Sequence, residues 1–301
     1  MLSIKKFAAI DIGSNAVRLL ISNIIEQEGR PVQFKKSSLV RVPIRLGADV
    51  FVEGKLSAYN ISRMIDTMQA FKLLMTSHGV VTYKACATSA MREASNGDIV
   101  TDVIYNQTNI KIDIIEGEEE AAIIAATDLH TYIDDNKTYL YVDVGGGSTE
   151  FSVIYKGKTV VSKSAKIGTV RLLNDMDTKA EWDEVENWVR KHTKDYDTIE
   201  VIGSGGNINK IFKDSGTSVG KPLTYFYLIG YYEHIQTLTY EERITEMNLN
   251  QDRADVIILA TKIYLSAMKW SGAKDIYVPK IGLSDGIIKS IYNKTITSIN
   301  L

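Results

Sequence analysis

The chain has 301 residues, a formal net charge of −2, and 45% hydrophobic and 24% charged residues. This length favours two domains, and the composition suits globular cores that need no disulfide bonds. The small net charge argues against a protein that coats nucleic acid. No apolar run reaches the roughly 18 residues of a membrane helix, and the N-terminal run stops at Asp11, too early for a secretory signal. We therefore expect a cytoplasmic protein with neither nucleic acid nor membrane as partner.

The cysteine and histidine content indicates neither a cysteine metal cluster nor a zinc site. The single cysteine, Cys86, lies in an apolar run and is interpreted as a small buried core residue. The four histidines are scattered without the spacing of a zinc site.

The first half of the chain predicts a three-stranded meander followed by alternating helices and strands. A Gly-Arg-Pro turn separates its second and third strands. The helix that follows has Ser57 as its N-cap, an apolar stripe at helical spacing, and Gly79 beyond its end. The predicted strands are 7–12, 17–25, 32–44, 80–87 and 110–115, and a second helix begins near Glu118.

The second half repeats this order. Residues 138–171 again read as an apolar strand, an Asp-x-Gly turn, and two further strands. A capping box, Thr178 with Glu181, opens the next helix. The later predicted elements are a strand 198–202 entering the glycine-rich turn 203–206, a helix 252–270 and a strand 275–278.

Internal repetition of this kind predicts two related α/β domains facing each other across a cleft. We place the domains at residues 1–126 and 127–301, with the last helix, 285–301, packing back on the first domain. No Pro-rich linker separates them, which favours a hinge over a loose tether.

The two Asp-x-Gly turns are the strongest chemical signal. Glycine and serine at a strand end let backbone N–H groups converge on an anion. Residues 143–150 form the richer copy, in which Asp143 and Glu150 flank the glycines and could hold Mg²⁺. One such turn alone could be an ordinary hairpin, but two copies in register favour phosphate binding.

Two other segments have both a functional and an ordinary interpretation, and a third is interpreted structurally. Arg92 follows a strand and could clamp phosphate, or it could pair with Glu93 on the surface. The glutamates at 116 and 118–120 could supply a base that orients water, or merely stabilise the helix dipole. The turn 282–286 is interpreted as a helix N-cap formed by Ser284 or Asp285.

The chain resembles the exopolyphosphatase and guanosine pentaphosphate phosphatase (Ppx/GppA) family, within the actin-like ATPase superfamily. The matching strings, in family order, are AIDIGSNAVRLLI, IRLG, ATSAMREASNG, IEGEEEA, VDVGGGSTEF, KIGTVRLL, VIGSGGNI and DRADVI. The resemblance implies an α/β fold of two duplicated ribonuclease H-like domains around a central cleft. The chain is similar to the short, two-domain members of this family.

The resemblance also implies roles for individual residues. Glu120 would be the catalytic base and Arg92 a second catalytic residue, while Asp143 and Glu150 would be the metal-associated acids. The metal would be Mg²⁺, with Mn²⁺ as the alternative. The phosphate-binding positions would be Asp11, Gly13, Ser14, Asn15, Gly145, Gly146, Gly147, Ser148, Ser204, Gly205 and Gly206.

The chain departs from the family pattern in two places. Ala122 stands where an arginine is common, and Ser284 with Asp285 replaces an Arg-Glu pair. The loss of positive charge puts tight binding of long polyanions in doubt.

The expected reaction is release of terminal orthophosphate from inorganic polyphosphate or from guanosine pentaphosphate (pppGpp), by in-line attack of water. The sequence does not choose between these substrates, and a homodimer is expected only from the prevalence of such assemblies. A non-catalytic sensor of polyphosphate or guanosine tetraphosphate is the alternative, and a small-molecule kinase of the superfamily is a weaker one.

Overall fold

The computed structural model describes residues 1–125, 127, 134 and 136–299. Within these residues every helix is too short or too polar to cross a lipid bilayer. The chain forms two compact units, one of Met1–Thr127 with Leu283–Leu301 and one of Asp128–Gly282. The boundary predicted between residues 126 and 127 falls at the edge of a segment, 126 and 128–133, that lies outside the described residues.

The first unit contains a five-stranded sheet in the order β3-β2-β1-β4-β5. Its first three strands are antiparallel neighbours, as the predicted meander requires, while β4 and β5 add parallel strands. Its elements up to residue 125 are β1 (Leu2–Ile12), β2 (Val17–Gln27), β3 (Gln33–Val42), α1 (Leu46–Glu53), α2 (Ala58–His78), β4 (Thr82–Ala87), α3 (Ser89–Glu93), α4 (Gly97–Thr108), β5 (Ile112–Ile114) and α5 (Gly117–Ala125).

The second unit repeats that arrangement and extends it. Its six-stranded sheet has the order β10-β11-β9-β6-β7-β8. The strands β8-β7-β6-β9 correspond to β3-β2-β1-β4, with the same antiparallel and parallel pairings. The remaining elements are β6 (Thr138–Val144), β7 (Thr149–Tyr155), β8 (Lys158–Ala165), α6 (Thr169–Leu173), α7 (Lys179–Thr193), β9 (Ile199–Ser204), α8 (Gly206–Asp214), β10 (Leu223–Thr224), α9 (Tyr225–Thr237), α10 (Tyr240–Thr245), α11 (Gln251–Ala254), α12 (Ile257–Ser271), β11 (Asp275–Tyr277) and α13 (Leu283–Ile299).

The shared strand order confirms the predicted fold class, a duplicated α/β fold with ribonuclease H-like domains. In both units the three-stranded meander is followed by a parallel strand that pairs with its first strand. Apolar residues of both β1 and β6 are buried along most of their length. A central strand that is covered on both faces is a nearly continuous apolar run in the sequence. The repetition was therefore visible before the structure.

Helix caps explain two of the predicted boundaries. The Ser57 side chain accepts a hydrogen bond from the backbone N–H of Asn60, and Gly79 ends α2 with a φ of 70°. Thr178 and Glu181 form both hydrogen bonds of a capping box at the start of α7. The caps at Ser57 and Thr178 satisfy N–H groups that have no partner within the helix, and Gly79 satisfies carbonyl groups at the end of α2. These positions could therefore be predicted from local sequence.

The helix predicted at residues 252–270 is wrong in one respect, because the chain breaks it into α11 and α12. Arg243 of α10 donates from Nη1 to the carbonyl oxygen of Ala254, at 2.7 Å, where α11 ends. Val256 then donates its N–H to the carbonyl of Arg253 in a tight turn. No glycine or proline marks this break, which depends on a contact with another helix.

Helix α13 comes from the end of the chain but packs against β1, β2, β4 and α5 of the first unit. The ring of Tyr292 lies edge-on to Phe34, with centroids 5.3 Å apart, and its hydroxyl donates to Glu26. Asp285 accepts a hydrogen bond from Lys36 at 2.9 Å.

The predicted N-cap at Ser284 or Asp285 is wrong, since α13 already begins at Leu283. Both residues therefore lie in its first turn. A carboxylate there interacts favourably with the helix dipole, and Lys36 supplies Asp285 with a partner.

Cys86 lies in β4 and is fully buried, which confirms its predicted place in the core. Burial raises the pKa of its thiol to about 12. The thiol therefore stays protonated near neutral pH, where a thiolate would be needed for nucleophilic chemistry.

Two helical glycines give a test of the packing of α13. A methyl group at Gly286 would overlap the carbonyl oxygen of Ile123 in α5, whereas one at Gly230 in α9 would meet no atom within 4 Å. We expect Gly286→Ala to lower the free energy of unfolding by about 1–3 kcal/mol through overpacking. The control Gly230→Ala should raise it by about 0.5–1 kcal/mol, because alanine is the better helix former.

Urea unfolding monitored by circular dichroism would measure both changes. Equal effects of the two substitutions would show that α13 does not approach α5 this closely.

Candidate functional site

The two Asp-x-Gly turns have the same backbone hydrogen bond. Gly13 donates its N–H to the carbonyl of Ala16 at 3.2 Å, and Gly145 donates its N–H to the carbonyl of Ser148 at 3.0 Å. Each turn follows the central strand of its sheet, at that strand's carboxyl end. The repetition predicted from sequence therefore extends to the geometry of the turns.

In the first unit, the turn after β1 meets the start of α3. The hydroxyl groups of Ser14 and Ser89 are hydrogen-bonded at 2.9 Å. Thr88 donates its N–H to the carbonyl of Ile12 at 3.1 Å. The carboxyl ends of the parallel strands β1 and β4 thus bring Asp11, Gly13 and Ser14 close to the 88–89 turn. These residues form a small polar cluster at that edge of the sheet.

The residue opposite the repeated aspartate differs between the two units. The β1–β2 register pairs Asp11 with Arg18, and their side chains form an ion pair at 2.7 Å. The β6–β7 register pairs Asp143 with Glu150 at the corresponding position. Residues directly opposite each other have Cβ atoms roughly 4.5–5.5 Å apart, so the second unit holds two carboxyl groups where the first holds an acid and a base.

Glu150 is held in place by two hydroxyl groups. Ser148 and Ser164 both donate to its Oε1, at 2.7 Å and 3.1 Å, and only 2% of Glu150 is exposed. Hydroxyl donors favour the ionised carboxylate.

The donor set at Asp143 and Glu150 fits Mg²⁺. Mg²⁺ prefers carboxylate oxygens, and in proteins it is commonly held by one or two carboxylates together with substrate phosphates and water. The described residues contain no group of three or more metal-ligating side chains, so this pair would leave most coordination positions to a substrate and water.

The turn after β9 lies beside Asp143. Gly205 has a φ of 115°, and a Cβ at this position would lie 2.9 Å from the carbonyl oxygen of Val144 and 3.4 Å from a carboxylate oxygen of Asp143. Only glycine fits this conformation and this space. Residues 204–206 and the Asp143 carboxylate are thus close neighbours within the second unit.

Tyr264 fixes that turn from α12. Its hydroxyl donates to the carbonyl of Ser204, while the Ser204 hydroxyl donates to the carbonyl of Ile281 at 2.8 Å. Burial, and the nearby charge of Asp143, raise the pKa of Tyr264 well above its usual value. The hydroxyl therefore remains a donor at all physiological pH values.

Arg92 contacts the segment that leads into α5. Its Nη1 donates to the carbonyl of Ile115 at 2.5 Å, and its Nε lies 3.8 Å from a carboxylate oxygen of Glu116. The guanidinium is mostly buried. Its predicted contact with phosphate stays a prediction, while its contact with residues 115–116 adds a role in placing the start of α5.

Glu120 differs from the other acids of its cluster in burial. It is 8% exposed, whereas Glu116, Glu118 and Glu119 are exposed. Its backbone N–H donates to the carbonyl of Glu116 at 2.9 Å, in the first turn of α5. The structure thus singles out the glutamate to which the resemblance gives the role of base.

Sequence reasoning did not select three residues that the structure places at these turns, Arg18, Arg171 and Tyr264. Alignment of the two repeats would have found Arg18, because it occupies the position of Glu150 in the other copy. Arg171 lies in a short helix that was not predicted, and Tyr264 reaches Ser204 only through the packing of α12, so no local signal marked them.

Curated relatives match over part of their length. Exopolyphosphatase 2 of Mycobacterium tuberculosis is 30% identical over 176 residues, which cover 57% of this chain and 54% of that protein. Guanosine-5′-triphosphate,3′-diphosphate pyrophosphatase of Photobacterium profundum is 32% identical over 167 residues, which cover 56% of this chain and 32% of that protein. The chain thus spans about a third to a half of the length of the curated relatives it matches.

A solved structure matches over almost the whole chain. The crystal structure of the Aquifex aeolicus member of the Ppx/GppA protein family is 25% identical, has a TM-score of 0.75, and covers 97% of this chain and 99% of that one. The model of the Ppx/GppA phosphatase family matches residues 34–295. With the duplicated turns, these matches show that the chain belongs to the Ppx/GppA phosphatase family.

Proposed function

We propose that this protein is a phosphohydrolase that releases terminal orthophosphate from inorganic polyphosphate, from pppGpp, or from both. The observation that carries the proposal is the Asp143–Glu150 pair, two carboxyl groups opposite each other beside a glycine turn. Like charges at such positions destabilise a sheet. Binding of a divalent cation and phosphate would account for this pair of like charges, which an ordinary hairpin does not need.

Asp143 and Glu150 would hold Mg²⁺, with Mn²⁺ as the alternative. The bound cation would neutralise negative charge on the phosphate oxygens as the phosphorus is attacked. Ser148 and Ser164 keep the Glu150 carboxylate oriented. In the first unit Arg18 already neutralises Asp11, which is why we place the metal in the second unit.

The glycine turns would bind the phosphate. At residues 145–148 glycine lets backbone N–H groups approach an anion without a side chain between them. Ser14, Asn15 and the 204–206 turn would supply further donors. Asp11 and Gly13 would shape the first turn. Fixed donors of this kind need no rearrangement during the reaction, which makes them effective stabilisers of a charged transition state.

Glu120 would position the attacking water and accept its proton. Burial restricts the positions that its side chain can adopt, whereas the glutamates around it are exposed to solvent. Phosphoryl transfer needs mainly positioning and charge stabilisation, so one oriented carboxylate, Arg92, a cation and the backbone donors suffice without a covalent nucleophile.

The relatives' names support this class of reaction, and both candidate substrates end in the same phosphoanhydride. The choice between them stays a prediction. So do the homodimer, the cytoplasmic location and the cleft between the two domains.

Kinetics with three substrates test the proposal. Purified protein with Mg²⁺ should release orthophosphate from tripolyphosphate, long polyphosphate or pppGpp, and EDTA should abolish the release. Binding without turnover of any of the three would contradict the proposed hydrolysis. A malachite green assay for orthophosphate measures the rates.

Glu120→Gln should lower kcat by about 10²–10⁴-fold, the usual contribution of a general base, with little change in stability. The matched control is Glu118→Gln, an exposed glutamate of the same turn, which should keep the parent rate. Phosphate release near the parent rate from Glu120→Gln would remove this residue from the mechanism.

Thermal denaturation tests the metal site without any turnover. A ligand that binds only the folded state raises Tm, so Mg²⁺ should stabilise the parent protein and not Glu150→Gln. Gln keeps an oxygen that can accept from Ser148 and Ser164, and it removes a like charge opposite Asp143. In EDTA the variant should therefore be at least as stable as the parent.

Glu200→Gln is the control for this measurement. Glu200 lies near the start of β9, at the other end of that strand from the 204–206 turn, and pairs with Lys137 at 2.7 Å. Its replacement should leave the Mg²⁺-dependent rise in Tm unchanged. An equal rise in Glu150→Gln would place the cation elsewhere.

A further inference from the structure

The short helix α6 holds the three glycine carbonyls of the 145–147 turn. Thr169 donates its backbone N–H to the carbonyl of Gly145 at 3.0 Å, and Val170 donates to that of Gly146 at 2.7 Å. The carbonyl of Gly147 accepts instead from a side chain, the Nε of Arg171, at 2.6 Å. All three oxygens therefore face α6.

The direction of these carbonyls determines the direction of the N–H groups. In a trans peptide the C=O of one residue and the N–H of the next point in opposite directions, and the described part of the chain has no cis peptide bond. The N–H groups of Gly146, Gly147 and Ser148 must then point away from α6. They form a row of donors suited to an anion.

Close packing keeps α6 against the turn. A Cβ at Gly168, the N-cap residue of α6, would lie 2.5 Å from the carbonyl oxygen of Gly146 and 2.5 Å from the carbonyl carbon of Gly147. Arg171 itself is only 6% exposed. The guanidinium is thus fixed under the turn rather than extended into solvent.

The first unit achieves the equivalent contact with its backbone. There Gly47 donates its N–H to the carbonyl of Ser14 at 2.8 Å, and Arg45 donates its N–H to the carbonyl of Asn15 at 3.0 Å. Asn15 corresponds to Gly147 in the repeat. In the second unit a side chain, that of Arg171, donates the hydrogen bond to this carbonyl. The contact therefore depends on the identity of one residue there.

We propose that Arg171 is a positioning residue that fixes the Gly147–Ser148 peptide so that the Ser148 N–H donates to the terminal phosphate. This inference rests on the proposed function for its substrate, and it names the backbone donor that depends on Arg171. The neighbouring donors, the N–H groups of Gly146 and Gly147, depend on backbone bonds to α6 instead.

Arg171→Met removes the donor and the charge while keeping a long apolar stem. Loss of this hydrogen bond from a charged group to the Gly147 carbonyl should lower kcat/KM by about 10–100-fold. The control Arg190→Met replaces an exposed arginine of α7 that bonds Glu186 and should keep the parent kinetics. A kcat/KM for Arg171→Met within about twofold of the parent would overturn the proposal.

The decisive readout is the amide NMR spectrum during titration with inorganic phosphate, which needs no turnover. In the parent protein the signals of Gly146, Gly147 and Ser148 should shift. In Arg171→Met the Ser148 shift should be lost while the Gly146 shift persists, since Thr169 still holds the peptide before Gly146.

A merely structural role would alter the three signals together, and that outcome would overturn the proposal. If Arg171→Met does not fold, Arg171→Leu, which also removes the donor, takes its place. The absence of any Ser148 shift in the parent would overturn the inference by itself. If phosphate shifts these signals but no polyphosphate or pppGpp is hydrolysed, the inference stands and the proposed function fails.

Discussion

Antiparallel register is the constraint on which the candidate site depends. Once a tight turn joins two strands, the residues that face each other across them are determined, and both point to the same side of the sheet. The turn after β1 places Asp11 opposite Arg18, and the turn after β6 places Asp143 opposite Glu150. One change of residue type thus converts a self-neutralised pair into a candidate cation site, with no change of backbone.

The conformation of the two Asp-x-Gly turns depends on hydrogen bonds from residues outside them. Each is followed, after two more strands, by a short helix, and N–H groups at the start of that helix bond the carbonyl oxygens of the turn. Glycine is required where the two backbones touch, as at Gly168, and where Gly205 approaches Asp143. The direction of the N–H groups proposed to bind an anion is therefore set by the hydrogen bonds that the carbonyl groups of the same peptides accept.

Much of this arrangement follows from local sequence, and the rest does not. The meander, the repeat, the capping box of α7 and the cap at Ser57 depend on residues within a few positions of each other, so their patterns are visible in the chain. The break after α11 depends on Arg243, and the 204–206 turn depends on Tyr264, contacts over longer separations that no window reveals.

The candidate site shows the same division. The acids and glycines were predicted because the chemistry requires those residue types at those spacings. Which glutamate of the α5 cluster is buried, and which residue supports the glycine turn, depends on packing that only the coordinates contain. The resemblance supplied Glu120 where the physical pattern alone left several candidates.

Helix α13 has a consequence for how the protein is made. It completes the first unit, although the whole second unit precedes it in the chain. During synthesis the aromatic side chains of Phe7 and Phe34, which Tyr292 later covers, stay uncovered until α13 has left the ribosome. Contacts so distant in sequence form slowly, and exposed apolar surface favours aggregation in the meantime. A nascent chain stalled before α13 should therefore depend on chaperones far more than the finished protein does.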